Sequence, residues 1–341
     1  MSDDPNPEET LSEPLHLSRI CVEKVWGGRA LERVLGLELP PDRPIGETWE
    51  LVDRDDHNST VVGGRFEGQS LRWLMANERE ALLGDAATSE SDQFPLLVKF
   101  ISAEAPLSVQ VHPDEKMAKK LGKGDAGKCE AWYVLDAEPG SLLYLGLRPN
   151  VDATDFAAAA DSADVVDLLQ TWNVQPGQFI WVPAGTVHAI GAGITLLEVQ
   201  QNSDVTFRVF DWGRLGLDGK PRKTHVDQAL LAVNYDLDTA GPVDPELHVL
   251  DDDSRGVELL DCEFFRMGLL EVCGHVRRKG LGRPVVLVCV AGRGRILRHG
   301  ADAQEFGRGD TWLVPAAAGD WTIESKGGEC RLVLVEAKAK R

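Results

Sequence analysis

The sequence predicts a mainly β protein: two small barrels in tandem, with a few inserted helices and a degenerate second barrel. Three observations lead there. Short apolar runs bounded by Gly, Pro, Asn and Asp recur along the chain, the mark of strands joined by turns. The segment Gly177-Gln178-Phe179-Ile180-Trp181-Val182-Pro183-Ala184 reads as turn, strand, turn. Gly309-Asp310-Thr311-Trp312-Leu313-Val314-Pro315-Ala316 then repeats it almost step for step, an internal repeat.

Met1 to Glu13 is acidic and polar and reads as a tail. It lacks the charged start and apolar centre of a secretory signal. A first strand ends at Val25-Trp26-Gly27-Gly28, and Ile45 to Val52 is the next clear one. Glu47 and Glu50 within it read as solvated or paired charges. Ser70 is placed to cap a short helix with Leu71, Leu74 and Met75 on its apolar face. Phe94 to Ile101 is a strongly apolar strand, and its Lys99 is costly there unless paired or facing a wet cavity. Leu107 to His112 alternates as a strand. A short helix follows, with Pro113 at its first position, acids in the first turn, Lys119 and Lys120 in the last and Gly122 at its end. Glu130 to Leu135 is a strand. Asp152 to Trp172 is the best helical stretch, with Thr154 as cap. Ile194 to Val199 and Val205 to Asp211 are strands, and Thr224 with Asp227 resembles a capping box. Beyond a proline- and acid-containing stretch, Phe264 to Val272, Val285 to Val290 and Gly292 to Ile296 are strand-like again.

His188 follows the first copy of the repeat at a rigid corner. Pro183 ends the strand, having no ladder N–H, and Gly185 permits a backbone angle other residues avoid. The spacing Gly, five residues, Pro-x-Gly, two residues, His resembles the second signature motif of the cupin superfamily, jelly-roll barrels that hold a metal among their strands. Ala192 stands where that motif usually has asparagine. A partner lies upstream. Gln110 and His112 are two apart on a strand and share a face, and Glu130 opens the next strand 18 positions after His112. Gln110, His112, Glu130 and His188 together suit a borderline divalent metal in an open site. In the second copy Asp320 falls where His188 stood, and no Gln-x-His strand precedes it. That barrel reads as lacking the metal.

The 341 residues carry 36 basic and 55 acidic side chains, a net charge of −19. That balance argues against nucleic-acid binding, which draws on Lys and Arg against phosphates. An anionic substrate needs a locally positive pocket. No run of 18 apolar residues exists, so no membrane-spanning helix is expected. The six cysteines form no CxxC and read as reduced thiols of a cytoplasmic protein. Arg308-Gly309-Asp310 belongs to the repeat rather than to an adhesion motif.

An ordered series of segments carries a closer resemblance: Trp26-Gly27-Gly28, Gly46-Glu47-Thr48-Trp49-Glu50, Pro95 to Lys99, Gln110-Val111-His112-Pro113-Asp114, Lys128 to Tyr133, Pro183 to Ala189, and Gln200 to Asp211. Together they resemble the type I mannose-6-phosphate isomerases (phosphomannose isomerases) of the short bacterial kind, over nearly the whole chain. The resemblance implies one zinc per chain, held by His112, Glu130 and His188 with Gln110 as a further ligand, and Arg208 as the active-site arginine. It implies aldose–ketose exchange between mannose 6-phosphate and fructose 6-phosphate through an ene-diol. Cys129 before Glu130 is a neutral variation. The expected organisation is then a disordered tail over 1–14, a catalytic metal-binding cupin domain with helical insertions over 15–235, a linker over 236–250 and a metal-free cupin-like barrel over 251–341.

The chemistry needs a base within reach of the C2 proton. Glu198, on the strand after His188, and Lys128, two residues before a ligand, are both candidates, and the residues do not decide between them. Arg208 is a permanent cation, suited to stabilising the ene-diolate or orienting substrate. If Phe207 and Val209 pack outward, Arg208 points into the metal cavity; a structural ion pair with Asp211 or Glu198 is the bland alternative. Lys99 is a candidate for the substrate phosphate. Two other classes compete. A non-haem iron oxygenase also uses two histidines and a carboxylate, although Gln110 would fill a position that oxygen needs. A non-catalytic sugar-binding cupin would have no use for the full ligand set with Arg208.

Overall fold

Two antiparallel sheets enclose a core in the unit formed by Cys21–Trp49 and Leu97–Asp244. The computed structural model describes residues 10–88, 91–122 and 125–338. The first sheet has six strands in the order Ile20–Gly28, Ile45–Leu51, Leu96–Ala103, Ile194–Gln201, Glu130–Ala137 and Phe179–Val182. The second has five: Phe207–Phe210, Val109–Val111, His188–Ile190, Leu142–Leu147 and Leu169–Asn173. Ile101, Trp132, Val134, Ile180 and Leu196 from the first sheet meet Leu143, Leu145 and Ile190 from the second in one buried cluster. Strand Leu96–Ala103 is buried at all eight residues, as the unbroken apolar run around Lys99 requires.

The outer face of the five-stranded sheet is covered as well. Val109, Val111, Ala189, Phe207 and Val209 form one cluster with Phe156 and Ala159 of helix Ala153–Ala159 and Ala229 of helix Val226–Ala232. Truncating a fully buried ring such as Phe207 to alanine costs about 3–5 kcal/mol. This covering leaves the alternate residues of the same strands facing the opposite way, into the barrel.

The other unit holds a seven-stranded and a four-stranded antiparallel sheet, with a core that includes Leu287, Trp312, Trp321 and Leu332. The repeat seen in sequence is structural. Gly177 and Gly309 both turn at positive φ (94° and 92°), and strands Phe179–Val182 and Thr311–Val314 follow them. Asp320 precedes strand Trp321–Ser325 as His188 opens His188–Ile190, but it is exposed and bonded to Arg277 at 2.8 Å.

Several expectations need correction. The division into 15–235 and 251–341 does not follow the chain. The second unit also takes the described residues up to Ile20 and Glu50–Leu96. The reason is pairing: Leu15 faces Leu313 in the seven-stranded sheet, and the Asp85 N–H donates to the Gly282 carbonyl at 2.8 Å. Of the expected tail, residues 1–9 lie outside the described residues, but Leu11 is fully buried and its N–H donates to Glu78. The linker 236–250 contains the unit boundary, yet Val243 bridges Phe179 and His248–Asp251 is an edge strand. The stretch from Asp152 to Trp172 is not one helix. Asp152, not Thr154, caps Ala153–Ala159 in a capping box with Asp155; Asp161 then turns left-handed (φ 64°), and Leu169–Asn173 is recruited into a sheet. Asp114 caps Glu115–Lys120, so Pro113 precedes the cap. His225 occupies the cap position of Val226–Ala232, without the expected box. Ser70 does cap its helix, accepting from the Trp73 N–H at 3.0 Å.

Candidate active site

The inward row of the five-stranded sheet holds three of the singled-out residues in register. His188 pairs with Gln110, and Gln110 pairs with Arg208. Across the barrel, Glu130 pairs with Gln200 and Trp132 with Glu198. His112 follows the last residue of its strand, and its carbonyl accepts from the Gly185 N–H at 2.8 Å. That contact ties the two histidine segments together. Gly185 has φ 88°, and a Cβ there would lie 2.8 Å from the Asn234 Cβ, so the turn requires glycine.

His112, Glu130 and His188 each offer a ligand atom, and these atoms lie within 4.8 Å of one another. All three residues are 1 % exposed. His112 Nε2 stands 3.3 Å from Glu130 Oε1, and His188 Nε2 stands 3.7 Å from Oε2. Each ring is anchored by its other nitrogen: Nδ1–H of His112 donates to the Val205 carbonyl at 2.9 Å, and that of His188 to the Thr186 carbonyl at 3.0 Å. Both Nε2 lone pairs are thereby turned toward the carboxylate. Burial lowers the pKa of both rings, helped by Lys128 at His112 and by His112 at His188, which falls to about 3. Neutral imidazole is the ligating form. Burial pushes Glu130 up, but Lys128 at 2.7 Å and then His112 hold it well below the usual carboxylate range.

This donor set fits a divalent metal. Neither buried oxygen of Glu130 has a hydrogen-bond partner in good geometry among the described residues. Two ring lone pairs converge on a buried carboxylate of which only Oε1 has a close cation, Lys128, and a metal ion between them would meet the rest. Gln110 fits as a fourth donor. Its amide nitrogen lies 3.2 Å from His188 Nε2, and its oxygen accepts from the Ser108 hydroxyl at 3.1 Å. Rotating the amide by half a turn exchanges the two roles, because the hydroxyl also accepts.

Of the donors, Gln110 lines a cavity of ≈ 250 Å³ whose wall also includes Lys128, Trp132, Glu198, Arg208 and Arg222. Glu198 is buried. Its Oε2 accepts from the Trp132 indole N–H at 2.9 Å, and Lys99 Nζ lies 3.3 Å from Oε1. Burial, then the Glu130 charge, raises Glu198 to about 7. Lys99 is not a free cation. It sits over the Trp49 ring at 5.1 Å and lies 3.9 Å from Glu47 as well as against Glu198. Burial opposes its charge, but Glu47 and Glu198 together raise its pKa. Glu47 is therefore a paired charge, held also by the Trp49 indole at 2.7 Å and Lys24 at 3.3 Å. Burial raises Glu47, while Lys99 and Lys24 bring it down to about 2.

Arg208 faces the cavity, as the outward packing of Phe207 and Val209 demands. Its Nη1 donates to the Lys223 carbonyl at 2.8 Å, and its buried Nε has no partner among the described residues. The ion pair with Asp211 does not form, because Asp211 holds Arg214 and Arg222. Lys128 stands between Glu130 and His112, 3.4 Å from His112 Nε2. Sequence reasoning missed Trp132 and Arg222. The first was legible, two residues after Glu130 on the same strand face. Arg222 lies between strand Phe207–Phe210 and helix Val226–Ala232, where no periodicity marks it.

Comparison with known proteins decides the family. Residues 15–140 match the model of the phosphomannose isomerase type I catalytic domain. Mannose-6-phosphate isomerase ManA of Bacillus subtilis is 32% identical over 317 residues, 92% of this chain and 96% of that protein. The chain belongs to the type I phosphomannose isomerases. The mannose-6-phosphate isomerase of Streptococcus mutans is 33% identical over 320 residues, again 92% and 96% of the two chains. The crystal structure of the B. subtilis mannose 6-phosphate isomerase superposes with a TM-score of 0.85 at 29% identity, covering 94% of this chain and 99% of that one. Membership makes the protein an aldose–ketose isomerase of mainly β cupin fold, in a family that implies a metal.

Proposed function

We propose that this phosphomannose isomerase interconverts mannose 6-phosphate and fructose 6-phosphate in the cytoplasm, with one zinc held by His112, Glu130, His188 and Gln110. The observation that carries the reading is a buried carboxylate of raised pKa, Glu198, lining one cavity with Arg208, Gln110 and Lys128, the last two of which contact His188 and Glu130. Relatives named for mannose 6-phosphate over nearly their full length support the substrate.

Bound zinc would supply a Lewis acid for the sugar's carbonyl and hydroxyl oxygens. The proton work falls to Glu198, which takes the C2 proton of the aldose and returns it at C1. A pKa of about 7 suits a base that must also give its proton back. The Trp132 indole and Lys99 fix the carboxylate's orientation. Lys128 is the weaker candidate, because its ammonium faces Glu130 at 2.7 Å and acts there as a charge partner. Lys99 serves Glu198 rather than the phosphate. Arg208 meets negative charge on the ene-diolate or the substrate with a guanidinium that keeps unmet donor capacity.

A coupled assay that feeds mannose 6-phosphate to the zinc-loaded protein and reads fructose 6-phosphate tests the proposal. Turnover without oxygen, with solvent deuterium entering the sugar, is expected; no conversion would refute it.

A further inference from the structure

Asp211, just past strand Phe207–Phe210, carries two arginines. Arg214 reaches its Oδ1 through Nε at 3.1 Å and Nη2 at 2.8 Å. Arg222 reaches Oδ2 through Nε at 2.6 Å and Oδ1 through Nη2. Asp211 itself is buried. The Arg222 fork is thus clamped by two of its nitrogens, and Nη1 remains without a partner among the described residues. Arg222 and Arg208 both line the cavity. Two guanidinium groups share one carboxylate, which leaves an excess of +1 by count, and Arg208 adds a third guanidinium on the cavity wall, in a chain whose net charge is −19. The excess is felt: after burial, Arg222 is the main influence lowering the pKa of Arg208, with Asp211 opposing. Asp204 also lines the cavity, where its charge acts on Lys99.

Two arginines on one wall of the cavity beside a sugar-isomerase centre, one of them with a free N–H edge, suit a phosphomonoester dianion. We propose that Asp211 is a positioning residue: it aims Arg222, alongside Arg208, at the substrate's phosphoryl group, so that these arginines and not the metal donors select phosphorylated over plain sugars. The inference rests on the sugar-phosphate reading above. Arg222 has the planar fork that binds a carboxylate with one edge and leaves N–H groups for phosphate on another.

The test uses the zinc-loaded full chain, mannose 6-phosphate as substrate and inorganic phosphate as competitive probe. Arg222→Ala should raise both KM and the inhibition constant for phosphate at least about tenfold, with zinc content unchanged and kcat within about threefold. Arg222→Lys should rescue little. Asp211→Asn should raise the same two constants severalfold; Asp211→Glu, which keeps the charge but displaces it, replaces it if the Asn variant does not fold. A lowered Tm with both constants unchanged per folded molecule would show a merely structural cluster and overturn the proposal. Phosphate binding that depends on Arg222 in a protein unable to turn over mannose 6-phosphate would sink the substrate reading alone. Normal turnover with phosphate inhibition untouched by Arg222→Ala would sink this inference alone.

Discussion

Gln110 and His188 stand opposite each other on neighbouring antiparallel strands, and the Gln110 amide nitrogen lies 3.2 Å from His188 Nε2. The glutamine is thus aimed at the ring nitrogen that a metal would take. Arg208 is the next residue in the same row. One strand register therefore sets the proposed metal donors Gln110 and His188 and the proposed substrate cation Arg208 side by side.

Metal dependence follows from the donor set. Chelation should abolish activity and zinc should restore it. His112→Ala and His188→Ala should each lose the metal, because each removes a lone pair and leaves the Glu130 charge poorly met. Metal analysis should find one equivalent per chain in the parent protein. Two tightly bound equivalents, or full occupancy in both variants, would refute the assignment.

Glu198→Gln keeps the size of the side chain and removes the base. It should lower kcat by about 10²–10⁴-fold with metal retained. The sign of the pH dependence is set by the active form. A base must be ionised, so kcat of the parent should rise with pH and level off above about 7, the value to which burial and Glu130 raise this carboxyl. A variant that kept the same acidic limb would assign that limb to another group.

Arg208→Ala should fold and hold zinc yet lose most turnover, and Arg208→Lys should recover little, since an ammonium lacks the planar fork. Its side chain contacts the Lys223 carbonyl but no carboxylate that depends on it for charge balance. Zinc content, Tm and turnover measured on one sample decide the matter. A destabilised protein with near-normal turnover per folded molecule would end the catalytic role.

Glu47 is expected to act on stability. Its carboxyl is buried, which raises its pKa, but Lys99 and Lys24 bring it down to about 2. A folded-state value below the unfolded one stabilises above the unfolded pKa and is lost as pH falls through the folded value. The window is therefore about pH 4.5 down to about 2, and the full contribution at neutral pH is about 3 kcal/mol. Glu47→Gln should lower stability by about 2–3 kcal/mol at pH 7, with the difference shrinking in acid. Equal denaturation midpoints at pH 7 would contradict the pairing.

The strands that build the site were legible from local pattern. Period-two alternation put Gln110 with His112 on one face and turned Arg208 away from Phe207 and Val209, because side chains on a strand point alternately. The turn before His188 was legible because proline and glycine restrict or permit backbone angles whatever surrounds them. The helix expected over Asp152 to Trp172 was not. Its alanine-rich pattern was real, but a left-handed Asp161 and a vacant sheet edge beside Leu142–Leu147 outweighed weak helix propensity.

The sequence by itself determined the fold class and the repeat and singled out the residues that the structure groups as His112, Glu130 and His188, since motif spacing and alternation are local properties. Tertiary structure decided what each charge does. Lys99 became the partner of Glu198 and Glu47, Asp211 took Arg222 and Arg214 in place of Arg208, Leu15–His16 joined a C-terminal sheet, and Asp85 bonded to the Gly282 carbonyl. Ion pairs and sheet edges are closed by residues distant in the chain, and their energies depend on burial, which no local pattern encodes.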